Sequence, residues 1–449
     1  MTLCPDWLTP DADPFTPLLW PLTATRPDGV LSLGGLDATD LANKFGTPVY
    51  VLDEADFHAR AAGFRRAFAP WNVYYASKAF LTTAVARWVA EDGLGIDVCS
   101  PAELTMAIRA GVDPARVALH GNNKSDDLLR AGLAAGVGRI VIDSDDEIDR
   151  LVSLIAVSTD APVPVMIRVT PDVAAHTHAH VQTAVADQKF GFALAGGVAL
   201  AAMRRLAATP GVDLRGVHCH VGSQILDLDS HLLAAQRLID LLAQFAALSG
   251  RELPECDLGG GFGIAYTVAD RPMTPDVVAS GLKDVVESGF RQAGLNVPSM
   301  SIEPGRAIVG PSVVALYRVG AVKTIELPEG ERTYVAVDGG LSDNVRPTMY
   351  QAEYTALLAN RESMAPPRLS RVVGQHCDSG DMLVLHTYLP SDVHPGDLIA
   401  VPASGAYQRA MASNYNGRPR PPVVAVRDGA AHTLLRRETI DDLLSLEVG

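Results

Sequence analysis

Lys78 closes the run Tyr74-Tyr75-Ala76-Ser77-Lys78-Ala79. An amine ending an apolar strand is costly unless it is paired or used covalently. Desolvation also makes it easier to deprotonate, which Schiff-base chemistry needs. A surface lysine whose stem lies along apolar neighbours would read the same way. Glu303 opens the segment Glu303-Pro304-Gly305-Arg306 at the end of another apolar run. A carboxylate facing a pyridine nitrogen keeps that nitrogen protonated and turns the ring into an electron sink, whereas a structural Glu–Arg pair is the plain alternative. The run Asp257-Leu258-Gly259-Gly260-Gly261-Phe262-Gly263 lets backbone N–H groups approach a phosphate. It lacks the Lys-Ser/Thr of a P-loop and the spacing of a dinucleotide fingerprint.

Other residues suit supporting roles. On a strand, His218 and His220 share one face and Cys219 the other. His220, at the strand end before Ser223, suits a flat ring laid against an aromatic cofactor. Neither His218-Cys219-His220 nor the trio His176, His178 and His180 has the spacing of a zinc site, so no metal is expected. Arg346 and Tyr350 offer a planar fork and a hydroxyl for a carboxylate, or a surface salt bridge. Tyr407, after Gly405-Ala406, could reach a phosphate oxygen. Cys377, in His376-Cys377-Asp378-Ser379-Gly380-Asp381, is either an inert apolar residue or an acid able to protonate a carbanion.

A repeated unit positions these groups. Eight short apolar or β-branched runs recur: Asn72–Lys78, Gly95–Ser100, Arg116–Gly121, Arg139–Ser144, Pro164–Val169, Leu214–Gly222, Cys256–Phe262 and Ser299–Arg306. Stretches with helical spacing separate them, including Ala102–Ala110, Ser125–Ala135, Asp146–Ile155 and His231–Ser249. Ser100 with Glu103, and Ser125 before an Asp pair, read as N-caps. Eight strand–helix units in succession predict a closed parallel barrel, whose active site lies at the C-terminal strand ends. Lys78, Ser100, Asn122, His220 with Ser223, Gly259–Gly261, and Glu303 with Arg306 would then share one mouth.

Beyond residue 311 the texture changes to strands with few long helices: Pro311–Ile325, Thr333–Asp338, Arg371–Val373, Met382–Thr387, Asp397–Val401 and Val423–Val426. Val30–Leu33 is also strand-like, and Glu438–Val448 reads as a short helix. The expected fold is α/β plus β: a (β/α)8 TIM barrel over 49–311, and a mostly β, sandwich- or barrel-like domain from 1–48 and 312–449.

Composition excludes several classes. With 37 Lys plus Arg against 52 Asp plus Glu, the net charge is −15, which disfavours nucleic acid or an anionic membrane as partner. The chain is 48% hydrophobic and 20% charged, enough to bury a large core. No basic residue precedes Arg26 and acidic residues interrupt the early apolar ones, so no signal peptide is expected. Nor is there an uninterrupted apolar stretch long enough to span a membrane. The five cysteines, odd in number and sparse, fit reduced thiols in a cytoplasm.

Taken together the motifs resemble those of diaminopimelate decarboxylases, which are alanine-racemase-like (fold type III) enzymes of pyridoxal 5'-phosphate (PLP). The resemblance runs from about residue 30 to the C-terminus. It rests on Tyr75-Ala76-Ser77-Lys78-Ala79, His120-Gly121-Asn122-Asn123-Lys124, His176-Thr177-His178 and Gln188-Lys189-Phe190-Gly191. It continues with His220-Val221-Gly222-Ser223-Gln224, the glycine run, Glu303-Pro304-Gly305-Arg306, Asp338-Gly339-Gly340 through Arg346-Pro347, Gly405-Ala406-Tyr407 and Tyr415-Asn416. The tail from Arg437-Glu438-Thr439 is similar to the actinobacterial form.

The resemblance implies that Lys78 forms the Schiff base, His220 stacks on the ring and Glu303 holds the pyridinium. It implies that Ser223, Gly259, Gly260, Gly261, Gly305, backbone at Arg306, and Tyr407 hold the phosphate, and that Arg306, Arg346 and Tyr350 bind the substrate's distal carboxylate. Cys377 would be the acid, delivered by the partner subunit of a head-to-tail homodimer. Members of the family decarboxylate meso-diaminopimelate at its D-centre and release L-lysine. Alanine racemases of this fold place an arginine where Glu303 stands, a weaker sink suited to reversible proton transfer.

This chain departs from the family at Cys377-Asp378, where Cys-Glu is usual and the Glu binds the distal ammonium. Cys-Asp is the ornithine-decarboxylase form. The second run also has Pro101-Ala102-Glu103-Leu104 in place of Gly-Gly-Glu-Leu. Decarboxylation of ornithine, lysine or a D-amino acid therefore stands as an alternative, which Arg346 opposes. A non-catalytic PLP carrier should have lost Lys78 or Cys377, and both are present.

Overall fold

The computed structural model describes residues 4–158, 161–173, 189–328 and 330–448. His176, His178, His180 and Gln188 lie outside the described residues. Two compact units are present: Ala61–Gly263 with Pro272–Gly305, and Met1–Arg60 with Ile264–Arg271 and Arg306–Gly449.

The first unit is the closed parallel barrel that the repeated runs predict. Its eight strands are Asn72–Ala76, Gly95–Val98, Val117–Leu119, Arg139–Ile142, Val163–Thr170, Val212–Cys219, Glu255–Asp257 and Ser299–Ile302. Each pairs in parallel with the next, and the eighth returns to the first through Ser301↔Asn72 and Ile302↔Val73. Strands covered on both faces read as continuous apolar runs; Arg139-Ile140-Val141-Ile142 is buried at every position. The interior is filled rather than hollow: Arg139 pairs with Glu255 at 2.9 Å and lies over the Tyr74 ring at 4.6 Å.

All but the fifth strand are shorter than the apolar runs, and Lys78, His220, Gly259–Gly261 and Glu303 occupy the turns after them. Helix caps explain where those turns end. Ser100 accepts from the Glu103 N–H, while Glu103 accepts from the Cys99 N–H at 2.7 Å. Ser125 caps Asp126–Ala135, which stops at Gly136 in the left-handed conformation. Helix Asp229–Ser249 has the length and composition to cross a membrane. It carries Arg237 and Asp240, and buries Ala234, Leu238, Ile239, Leu242 and Phe245 within the barrel unit.

The second unit is built on a sheet ordered Met382–Pro390, Pro367–Val373, Gly330–Val337, Val313–Leu327, Val49–Asp53, Val423–Arg427 and Ala430–Leu435, with Leu398–Val401 also pairing on Val313–Leu327. The long strand Val313–Leu327 is buried in its first half and more exposed in its second. The apolar half packs into a core with Leu19, Trp20, Leu31, Leu41, Val51, Leu398 and Val424. Val49–Asp53, on the barrel side of the sequence boundary at 49, pairs with Val313–Leu316 and Val423–Val426 in this unit. A five-residue strand buried throughout carries no mark of which sheet will accept it. Strand Ala430–Leu435 escaped the sequence pattern because every residue in it is exposed or half-buried. The tail forms the short helix Ile440–Leu444, capped by Thr439 and Asp442.

Candidate active site

The barrel unit gathers one polar cluster at its C-terminal strand ends. Its centre is Glu303, just past the eighth strand and buried. His218, near the end of the sixth strand, places Nε2 at 3.1 Å from Glu303 Oε2. His120, just past the third strand, places Nε2 at 2.8 Å from Glu303 Oε1. Burial pushes the glutamate up, but the two imidazoles override it and hold the carboxyl well below its ordinary range. Burial lowers His218 to about 4. The ring is therefore neutral, and because a carboxylate only accepts, Nε2 carries the proton. The ligand atoms of these three residues lie within 4.8 Å of one another, within reach of a metal ion. The two imidazoles nonetheless address opposite oxygens rather than a common point.

Lys78 sits on the single turn Ser77–Ala79, two residues beyond the first strand. Lys78 is exposed. The strand stops at Ala76, and the turn lifts Lys78 out while burying Ser77 and Ala79. The lysine charge reaches Asp97, where burial raises the carboxyl and Lys78 draws it partly back, to about 6. Asp97 also accepts from the Ser77 N–H at 3.0 Å, which orients the lysine turn. His220 is held well below its ordinary value, first by burial and then by the charges of Lys78 and Arg168.

The glycine run lies against this cluster. A Cβ on Gly259, whose φ is +67°, would sit 2.2 Å from Cys219 O, and one on Gly260 would sit 2.1 Å from Glu303 O. No side chain fits there. Gly259 donates its N–H to Asp257 Oδ1 at 2.8 Å, and Gly260 donates to His220 Nδ1 at 3.2 Å. The second contact fixes the His220 tautomer and ring plane. His231 Nε2 donates to Gly260 O at 3.0 Å, with its ring stacked on Phe262. Leu258 and Gly263 also donate, to Ser301 O and Ile225 O, whereas the Gly261 N–H has no such partner among the described residues.

The second unit holds its own cluster. Arg346 is buried, lies over the Tyr266 ring at 4.6 Å and donates Nη1 to the Tyr354 hydroxyl. Its Nε is buried without a hydrogen-bond partner, and among the described residues no carboxylate pairs with it. A guanidinium ringed by phenols and lacking a counter-ion is a receptor for an anion. Arg306 donates to the Tyr266 hydroxyl at 2.5 Å and lies 4.7 Å from the Tyr407 ring centre. Tyr407 adopts a left-handed φ of +59°. Tyr350 ends the short helix Arg346–Tyr350 and is half-buried; the hydroxyl on Arg346 is that of Tyr354.

Cys377 and Asp378 are exposed on a loop that is itself tightly anchored. The buried His376 places Nδ1 at 3.0 Å from Asn416 Oδ1 and Nε2 at 2.8 Å from Ser342 Oγ. Asp381 accepts from the Leu341 and His376 N–H groups at 2.6 and 2.7 Å. The fixed loop presents its thiol outward.

A family model described as the pyridoxal-binding domain of pyridoxal-dependent decarboxylases matches residues 54–310. Diaminopimelate decarboxylase of Corynebacterium efficiens is 46% identical over 98% of this chain and 97% of its own length. The chain belongs to the diaminopimelate decarboxylases. That of Bacillus subtilis is 42% identical over 94% of this chain and 95% of its own. The crystal structure of diaminopimelate decarboxylase from M. jannaschii in complex with L-lysine is 29% identical, with a TM-score of 0.88, covering 95% of this chain and 98% of that one. A lysine/ornithine decarboxylase structure from Vibrio vulnificus, 21% identical with a TM-score of 0.73, shares the fold.

The cofactor of this diaminopimelate decarboxylase family fits the residues present. Glu303 Oε1 is buried without an aligned hydrogen bond, even though His120 is close, so it retains capacity for a ring N–H. The bare glycine backbone leaves room where any Cβ would collide. Sequence reasoning assigned no role to Asp97, His120, Arg168 and His231 in the barrel unit or to Tyr266 and Tyr354 in the second. Asp97 and Arg168 lie inside strands, where the apolar pattern hides them. At the third strand end His120 is the buried residue and Asn122 is exposed.

Proposed function

We propose that this protein decarboxylates meso-2,6-diaminopimelate at its D-centre, releasing L-lysine and CO2 as the last step of lysine biosynthesis. Five free cysteines suit a reducing cytoplasm for that work. The observation that carries the reading is Glu303, a buried carboxylate met at one oxygen by His218 and at the other by His120. PLP, when bound, supplies an electron sink for the pair left behind as CO2 departs. Lys78 would hold the cofactor through Nζ. Glu303 would keep the ring nitrogen protonated, and His220, pinned by Gly260, would lie flat against the ring. Ser223, Gly261, Gly305, the Arg306 backbone and the Tyr407 hydroxyl would take the phosphate. Arg346, with Arg306 and Tyr350, would take the distal carboxylate, and Asp378 the distal ammonium. Cys377, carried outward on its anchored loop, would serve the partner subunit of a homodimer by protonating the D-centre carbon.

Asp378 favours a second reading, decarboxylation of ornithine, lysine or a D-amino acid, since Cys377-Asp378 has the Cys-Asp form that resembles ornithine decarboxylases. The test is CO2 release by the PLP-loaded protein from meso-diaminopimelate, L-lysine, D-lysine and L-ornithine in parallel. Dominant turnover of meso-diaminopimelate with accumulation of L-lysine is expected. Dominance of ornithine or lysine would overturn both the substrate and the role given to Arg346.

A further inference from the structure

The motif His120-Gly121-Asn122-Asn123-Lys124 has no part in the roles above, yet both its ends are buried and its middle is exposed. Lys124 Nζ donates to Gly121 O at 2.7 Å, to Val141 O at 2.6 Å and to Glu147 Oε1 at 2.6 Å. Glu147 Oε2 accepts from the Asp143 N–H at 2.9 Å. The ammonium thus spends all three protons, and both carboxylate oxygens are engaged. A buried pair satisfied in this way specifies one geometry more than it adds net stability. The geometry it specifies is the turn leaving the third strand, tied to the end of the fourth, and so the place where His120 stands.

His120 approaches Glu303 Oε1 at 2.8 Å while His218 takes Oε2, and the two imidazole rings meet edge-on at 4.8 Å between centres. A carboxylate approached at both oxygens from two strands cannot rotate about its last bond without losing one neighbour. We propose that His120 is a positioning residue: clamped by Lys124–Glu147, it fixes the plane of the Glu303 carboxylate so that this group meets the cofactor's ring nitrogen in a single orientation. The inference rests on the PLP-decarboxylase reading.

The test compares His120→Gln with His120→Asn. Both are polar and small enough for the site, but only Gln carries its amide nitrogen near the reach of Nε2. Each apo-protein is titrated with PLP and followed by visible absorbance, and each holoenzyme is assayed for kcat and KM. His120→Gln should keep PLP affinity, absorbance maximum and kcat near wild type. His120→Asn should weaken PLP binding, shift the absorbance maximum and lower kcat roughly tenfold or more with little change in KM, the scale on which an outer partner of a ligating carboxylate acts. Two wild-type-like variants, or two equally damaged ones with matching thermal melts, would overturn the proposal. If the wild type releases no CO2 from any of the four amino acids, the decarboxylase reading fails instead. The PLP titration would still rank the two variants and decide the role of His120 separately.

Discussion

His218 Nε2 donates to Glu303 Oε2 across 3.1 Å, with both side chains buried. A neutral imidazole therefore stabilises a buried carboxylate without adding a second charge, leaving the glutamate free to be the counter-ion of a pyridinium. Glu303→Gln removes that charge while keeping the shape. The variant should bind PLP but lose on the order of a hundredfold or more in kcat, as expected when an electrostatic group acts on charge developed in the transition state. Wild-type kcat would remove Glu303 from the chemistry.

Lys78→Ala should abolish the visible absorbance band of the PLP-loaded protein, because no other lysine is proposed to hold the cofactor. An unchanged visible spectrum would show that Lys78 is not the attachment point.

Arg346→Met keeps the stem against the tyrosines and deletes the charge. KM for meso-diaminopimelate should rise about thirtyfold or more, the lower end of what a buried charged partner contributes, with a much smaller effect on ornithine. Equal effects on both substrates would contradict a distal-carboxylate role.

Cys377→Ala and Lys78→Ala homodimers should each be poorly active, the first through slowed or misdirected protonation. If the thiol serves the partner's site, a random mixture of the two should recover about a quarter of wild-type activity, since half the dimers carry one intact site. No recovery after subunit exchange, shown by differently tagged chains, would confine Cys377 to its own subunit or remove its role.

Asp97 offers a pH test. Its folded value of about 6 lies above the ordinary carboxylate range because burial outweighs the Lys78 charge. A raised carboxyl binds its proton more tightly in the folded state. That contribution to stability is full at low pH and is lost as pH rises through about 6. Asp97→Asn, which keeps an acceptor for the Ser77 N–H, should therefore raise the melting temperature of the apo-protein more at pH 8 than at pH 5. A gain independent of pH would contradict the assignment.

The extent to which the site was legible in sequence follows from where each residue sits. Lys78, His220, Gly259–Gly261 and Glu303 follow apolar runs, so a polar residue at the break announces itself. Asp97 and Arg168 do not, because they lie within strands and only closure of the barrel turns them toward the cluster. His231 begins a helix pattern whose face is visible from sequence, but its bond to Gly260 joins residues 29 apart. Tyr354 and Arg346 are near in sequence, yet nothing local makes a tyrosine rather than a carboxylate the neighbour of a buried guanidinium.

The sequence by itself determined the barrel, the change to a β-rich region after residue 311, and the resemblance that names the cofactor, since apolar periodicity and ordered motifs are local properties of the chain. Only the tertiary structure decided that Val49–Asp53 belongs with the second sheet, that Lys78 is exposed between the buried Ser77 and Ala79, and that Glu303 stands between two imidazoles. Each of these depends on which distant segments meet once the core closes, and strand pairing of residues hundreds apart is set by the packing of the whole unit rather than by any stretch of sequence.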